Sequence, residues 1–433
     1  MRNGDDMLLS FSVENFKSFN KEGKISMNRG TVLKKKEHLM KFKNVEVLKG
    51  AVIYGSNAGG KSSFIDAMYV SRRIILATSE EHLNRKDIDI KNCYCRIYED
   101  NQTRPTVFEY VFTVKDRCYK YRLEMVLSEL KVVYEDLSEC ITETDTIKNI
   151  FTREGNDYNF ESGGYFTEEE VTKLNNLTSD LVDSSEHLTF ISTVTYNKKF
   201  SEDSNLRVFN EVTRWFGNNL MVKMFRIQSK EESLSNSEIL NLLIPDFGSA
   251  EYVPEENLPK QFVDMADAFI KNTKGNSVAI TDYCVEMGED GALKTYAMKT
   301  HHNSSDGSFD LREESDGTIE TLKYSQFLSD NNDDITFIVD EFGSKMHPLL
   351  AKRFIELFYS LHEEDNIQLI MATHHTSIMT LDLFRADEIW FVDKKNGESE
   401  LYSLEEFMPR SDIAVDRNYL AGRYGALPIF DEW

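Results

Sequence analysis

YGSNAGGKSS, residues 54–63, follows the apolar stretch GAVIY (50–54) and leads into SSFIDAMYVSRRIILA (62–77). The first run is short and apolar, and the second has helical spacing and strong helix formers, so the order is strand, glycine-bounded loop, helix. Gly55 through Ser62 satisfy G-x-x-x-x-G-K-[ST] in the context that pattern requires. Gly55, Ser56, Asn57, Ala58, Gly59 and Gly60 let backbone N–H groups curl around phosphate oxygens, with Lys61, Ser62 and Ser63 opening the helix beneath them. Lys61 is expected to reach the terminal phosphates and Ser62 to ligate Mg²⁺, which makes ATP and Mg²⁺ the expected ligands. An ordinary glycine-rich turn beside a solvated lysine would not need those flanks.

Composition narrows the remaining classes. The chain has 433 residues and a net charge of −24, which argues against a broadly basic nucleic-acid or anionic-membrane binder. Basic clusters at VLKKKEHLMKFK (32–43) and YNKKF (196–200) leave a local nucleic-acid groove open, although such runs are more often solvated faces. Five cysteines and no secretory segment fit a reduced, cytoplasmic setting, and Cys93-Tyr94-Cys95 lacks zinc-site spacing. No apolar run approaches the length of a bilayer span, so no membrane role is expected.

Strand and helix signals alternate at both ends of the chain, which predicts an α/β fold with a mainly parallel core sheet shared by the two ends. VFEYVFTVK (107–115) and YKYRLEMVL (119–127) alternate around a turn and predict an antiparallel β lobe. NLRVFNEVTRWFGNNL (205–220) and SNSEILNLLI (235–244) have helical spacing within an acidic, Asn/Ser-rich region. The expected organisation is an N-terminal part of the head at 1–139, an inserted, mainly helical lid or arm at 140–275, and a C-terminal part at 276–433. No sustained heptads support a long coiled-coil arm.

ITFIVDEFG (335–343) ends an apolar strand in Asp340-Glu341. A carboxylate at the end of a core strand beside a phosphate loop suits Mg²⁺, and the next one suits polarising a water, so Asp340 takes the metal role and Glu341 the base role. In EESDGTIETL (313–322), Ser315 and Gly317 open a helix whose N-terminus is a second anion site. Since the chain already has one phosphate loop, its natural use is to clamp a nucleotide held by another subunit; a simple cap by Ser315 or Thr318 is the plainer reading. HHTSIM (374–379) follows the strand IQLIMAT (367–373), and His374 is the expected γ-phosphate sensor, with His375 one position off. Metal binding at this pair or at His301-His302 is disfavoured because adjacent residues of an extended segment face opposite ways.

Together these stretches resemble the ABC-type AAA ATPases of the RloA-like and abortive-infection group, kin to the ATPase part of OLD-family proteins and more distantly to SMC and RecF heads. The resemblance runs from VENFKSF (13–19) through VLKGAVIYGSNAGGKSSFIDAM (47–68), TFISTVTYN (189–197) and LLIPDFGSAEYV (242–253). It continues through ESDGT, IVDEFGSKMHPLL (338–350), THHTSIM, RADEIWFV (385–392) and YLAGRYGALPIF (419–430). It implies a head that closes in pairs around ATP, a homodimer or higher homo-oligomer with shared ATP sites, and antiphage defence beside a nuclease or toxin effector encoded nearby. It assigns phosphate and Mg²⁺ binding to Lys61 and Ser62, the acidic strand motif to Asp340 and Glu341, the switch to His374, and the signature clamp to Ser315 and Gly317. Gly343-Ser344-Lys345 departs from the acidic or arginine residues relatives more often carry before the His-Pro pair. No glutamine stands where ABC enzymes join core to lid, and Glu135 in VVYEDL is its nearest stand-in.

Two other functions compete. An OLD-like nuclease would append a metal-binding Toprim domain, for which the stretch after His375 is expected to be too short. A DNA-repair or recombination head predicts basic grooves, against which the acidic balance counts. In the closing NYLAGRYGALPIF, Tyr419, Arg423 and Tyr424 form either a docking surface or a segment packed back on the core; packing is the favoured reading.

Overall fold

The computed structural model describes residues 6–427 apart from 85–87, 141–145, 161–163, 180–185, 198–199, 202–203, 224–277, 288–292, 303–307, 311–314, 329–333 and 411–412. The expected helix at 235–244 and the LLIPDFGSAEYV stretch lie outside the described residues. The first half contributes β1 (Leu8–Glu14), β2 (Gly23–Ser26), β3 (Leu39–Phe42), β4 (Val45–Leu48), β5 (Gly50–Gly55), β6 (Thr106–Val114), β7 (Arg117–Val126), β8 (Lys131–Cys140), β9 (Thr146–Glu154) and β10 (Asp157–Asn159). After it come β11 (Leu220–Lys223), β12 (Val278–Met287), β13 (Leu293–His302), β14 (Ser308–Asp310), β15 (Thr336–Val339), β16 (Gln368–Ala372), β17 (Ile389–Lys395) and β18 (Glu398–Ser403). The helices used below are α1 (Lys61–Leu76), α2 (Glu80–Leu83), α3 (Glu168–Ser179), α4 (Phe190–Asn197), α5 (Arg207–Arg214), α6 (Asp316–Ser325) and α7 (Pro348–Leu361).

A six-stranded sheet runs β11-β15-β16-β5-β17-β18. Its pairings are parallel as far as β17, and β18 returns antiparallel. Every residue of β5, β15 and β16 is buried. Unbroken apolar runs rather than alternation are what a parallel strand covered on both faces requires. β5 comes from the first end of the chain and lies between β16 and β17 from the other. The strand order therefore turns at β5, and the open crevice at the carboxyl ends of such a sheet is where ligands are held.

An antiparallel sheet of seven strands, β10-β9-β8-β7-β6-β1-β2, faces the core sheet across α1. Phe11 of β1 meets Phe64 of α1 edge-on at 5.4 Å, and Tyr110 of β6 shares a 2.7 Å hydrogen bond with Ser71 of α1. On the other face of the core sheet a second apolar cluster gathers Phe342, Phe354 and Phe358 with Tyr324 of α6. The result is the expected α/β arrangement of a parallel core with an antiparallel lobe. Of the stretch 140–275, the described residues give β9 and β10 to the antiparallel lobe, α3, α4 and α5 to helices, and β11 to the edge of the core sheet.

Glu135 is not a cleft residue. It is fully buried on β8, where its carboxylate accepts Phe190 N at 2.7 Å, Ile191 N at 3.3 Å and the Tyr121 hydroxyl at 2.9 Å. Its partner Arg153, equally buried, stands 3.7 Å away. The carboxylate thus occupies the N-terminus of α4, satisfying amides that the helix leaves without partners. In the closing segment Tyr419 and Tyr424 pack back as favoured: both are buried, and each stacks on Phe391 of β17, at 5.5 and 5.4 Å, while Arg423 is exposed. Among the described residues no helix is long and apolar enough to cross a membrane, and no three His, Cys, Asp or Glu side chains gather to hold a metal ion. The side chains of His301 and His302 lie outside the described residues.

Candidate functional site

The phosphate loop leaves β5 and enters α1 with little room to spare. A Cβ on Gly55 would stand 2.4 Å from the Val392 carbonyl oxygen of the paired strand β17. Gly59 N donates to Ser56 O at 3.0 Å, tightening the curl. Gly60 has φ +121°, which L side chains rarely adopt, and a Cβ there would meet Ser399 Oγ at 2.3 Å. That hydroxyl lies 2.7 Å from Gly59 O and 2.8 Å from Ser18 Oγ, so β18 and the β1–β2 connection buttress the loop.

Lys61, the first residue of α1, is buried, and its Nζ donates to Gly55 O at 2.8 Å and Ser56 O at 3.0 Å. Burial pushes its pKa down to about 8, while the carboxylates of Asp340 and Glu341 pull it back up. The ammonium is therefore held by neutral carbonyls at the mouth of a helix N-terminus, ready to exchange them for an anion.

A cleft of about 860 Å³ opens over this loop. Asn57, Ala58, Gly59, Gly60, Lys61, Ser62 and Ser63 line one side, and Glu341 and His374 face them. β15 carries the buried Asp340 at its end, where Asp340 Oδ1 accepts Glu341 N at 3.0 Å. Glu341 takes a left-handed backbone, φ 56°, and is exposed at the cleft. The chain turns out of the sheet there, so the second carboxylate projects where the first cannot.

The two histidines after β16 divide. His374 lines the cleft, and its pKa is lowered by burial first and then by Lys61 and His375. His375 turns away: its Nε2 contacts Gly343 O and its amide donates to Thr373 Oγ1 at 3.1 Å. Ser315 and Gly317 are not brought to the cleft of their own chain; Ser315 is exposed just before α6. The departure at Gly343-Ser344-Lys345 acquires a local meaning. Glu320 of α6 accepts Lys345 N at 2.7 Å, Lys345 Nζ pairs with Asp316 at 2.6 Å, and the Tyr324 hydroxyl accepts Gly343 N at 3.2 Å. The loop that follows Glu341 is thereby fastened to the helix that begins at Ser315.

Lys17, Ser18, Arg96, Ile97, Ser344, Lys394 and Gly397 also line the cleft; of these only Ser344, within the Gly343-Ser344-Lys345 departure, was named from the sequence. Lys17 and Ser18 lie inside VENFKSF, so that stretch held a readable signal. Lys17 forms an ion pair with Asp66 of α1. Arg96 and Lys394 carry no local motif; Arg96 lies in the connection before β6 and Lys394 near the end of β17, and only the fold sets both beside the loop. The residues fit a nucleotide's phosphate chain: a loop whose Gly55 and Gly60 cannot take a Cβ, a buried ammonium, an open helix N-terminus, and the Glu341 carboxylate opposite, with Asp340 buried behind it.

A family model described as "AAA domain, putative AbiEii toxin, Type IV TA system" matches residues 51–380, well over half of the chain. No curated protein matches. Among solved structures, an Smc head bound to the C-winged helix domain of ScpA aligns over 93% of this chain and 99% of its own, at 14% identity and TM-score 0.45. An Smc head with an extended coiled coil, bound to the C-terminal domain of ScpA derived from Pyrococcus furiosus, aligns over 93% and 98%, at 12% identity and TM-score 0.42. The SMC head domain from Thermotoga maritima aligns over 92% and 98%, at 13% identity and TM-score 0.37.

Proposed function

The chain belongs to that AAA-domain family, and from this premise we propose that it is a Mg²⁺-dependent ATP hydrolase whose nucleotide cycle controls an effector in antiphage, abortive-infection defence. The observation that carries the reading is the meeting of Lys61, Glu341 and His374 in one cleft above a phosphate loop whose Gly55 and Gly60 leave no space for a Cβ. Ser62 and Asp340 would hold Mg²⁺, which when bound neutralises charge on the phosphate oxygens. Lys61 leaves the carbonyls of Gly55 and Ser56 for the terminal phosphates. Glu341 accepts the proton of the attacking water, and His374, whose pKa burial and then Lys61 lower, offers a ring N–H that reads the γ-phosphate.

Ser315 and Gly317 stand outside their own chain's cleft, which supports their use as a clamp on the nucleotide of a second copy. The active unit is then a homodimer or larger homo-oligomer with shared ATP sites. The family description names a toxin system, which supports a cytoplasmic nuclease or toxin as the controlled effector. The test is Glu341→Gln. It should lower turnover by about 100-fold or more, the scale of a lost general base, and leave an ATP-dependent dimer that persists in light scattering. Unchanged hydrolysis would remove Glu341 from the mechanism.

A further inference from the structure

The antiparallel lobe contains a feature that nucleotide chemistry does not use. In the β7–β8 register Cys118 stands directly opposite Cys140. Both are buried, and their Sγ atoms approach to 2.8 Å. Residues directly opposite in an antiparallel pair have Cα atoms roughly 4.5–5.5 Å apart, inside the window of roughly 4.4–6.8 Å that a disulfide spans without moving the backbone. The pair also sits at an end of the sheet. Cys118 is one residue inside the last pairing of the β6–β7 hairpin, Val114 with Arg117, and Cys140 is the last residue of β8. Strand ends open more readily than strand centres, giving a small reagent a way in.

The other described cysteines lack this arrangement. Cys93 donates to Asp89 O at 3.3 Å, and burial pushes its thiol up to about 11. Burial raises Cys95 as well. Both are built to stay protonated.

We propose that Cys118 and Cys140 form a reversible oxidation site, closing to an intrachain disulfide on exchange with a small disulfide such as oxidised glutathione. One cysteine thiolate attacks a glutathione sulfur, breaks its S–S bond and expels one glutathione thiolate, leaving a mixed disulfide. The second cysteine thiolate attacks the protein-side sulfur of that bond and expels the other. The two cysteines lose two electrons, the glutathione disulfide gains them, and the two protons end on the two released thiols. The product joins β7 to β8 at the outer end of the lobe and involves no residue of the nucleotide cleft, so it stands whether or not the ATPase reading does.

The whole chain is equilibrated with oxidised and reduced glutathione in urea below its unfolding transition, so that access is not limiting, then denatured, alkylated and mapped by mass spectrometry. The expected result is loss of two of the five thiols, a linked peptide containing Cys118 and Cys140, and full recovery with dithiothreitol. Cys93→Ser should behave the same way. Cys118→Ser and Cys140→Ser should each give no intrachain link, holding at most one glutathione. Retention of both free thiols in the native chain at every glutathione ratio would overturn the proposal. So would a link from either cysteine to Cys284.

Discussion

Alanine at position 60 tests the phosphate loop more sharply than removing its lysine, because the structure states both halves of its cost. Gly60 has φ +121° and ψ 3°, outside the wells open to an L residue, which costs about 1–3 kcal/mol to impose. The new Cβ would also lie 2.3 Å from Ser399 Oγ and 2.9 Å from Ser399 Cβ, an overpacking worth about 1–3 kcal/mol. The two sum to about 2–6 kcal/mol if neither is relieved. Relief is available only by swinging the Ser399 hydroxyl off Gly59 O or rotating the peptide that feeds Lys61, and each disturbs the cradle.

Gly155→Ala separates the two costs. Gly155 also has a positive φ, +59°, but nothing lies within 4 Å of its would-be Cβ, so it should lose only the backbone cost of about 1–2 kcal/mol. Denaturant midpoints at constant slope measure the stability of both variants, and calorimetric titration measures ATP affinity. Gly60→Ala should unfold earlier than Gly155→Ala and bind ATP at least about tenfold more weakly, each tenfold being about 1.4 kcal/mol. Gly155→Ala should bind normally. Equal midpoints, with ATP affinity of Gly60→Ala within about twofold of the native chain, would refute the steric argument.

Three further outcomes follow from the same geometry. Lys61 has a pKa of about 8 in the free protein, and phosphate contact favours its charged form, so ATP affinity should be full below pH 8 and fall progressively above it; a flat profile from pH 7 to 9.5 by titration would contradict this. Glu135→Ala leaves the buried Arg153 without its carboxylate and uncaps α4, so denaturant unfolding should show a loss of about 3–5 kcal/mol with ATP affinity unchanged where the protein is folded. Glu320→Ala frees the amide of Lys345 and the loop behind Glu341; steady-state kinetics should show kcat down about tenfold with KM little moved, and an equal rise in KM would show that the tie serves binding instead.

The parts legible in the sequence were those in which one local pattern does the positioning. The phosphate loop lies between strand and helix because its neighbours in sequence form them. Asp340 was legible as the end of an apolar run for the same reason. What could not be read were residues placed by the meeting of distant elements. Arg96, in the connection before β6, and Lys394, near the end of β17, reach one cleft only through the fold, and neither has a neighbour in sequence that announces it. Glu135 was misread because a carboxylate in VVYEDL looks solvated until α4, more than fifty residues later, is set against it. The choice between His374 and His375 likewise depended on the Gly343 carbonyl, which belongs to a different strand's loop.

The placement of β5 between β16 and β17 has a consequence for synthesis. As the chain leaves the ribosome, β5 and its loop appear early, but both strands that flank them in the sheet lie beyond residue 367. Until those strands emerge the apolar ribbon GAVIYG has two open hydrogen-bonding edges, the condition under which strands pair with the wrong chain. Nascent chains arrested before β17 should therefore depend on holding chaperones, and nucleotide cannot act as a folding template until β16 and β17 have emerged. A cell making this protein gets no partly competent product on the way: the grip on the nucleotide waits for two strands made long after β5 and its loop.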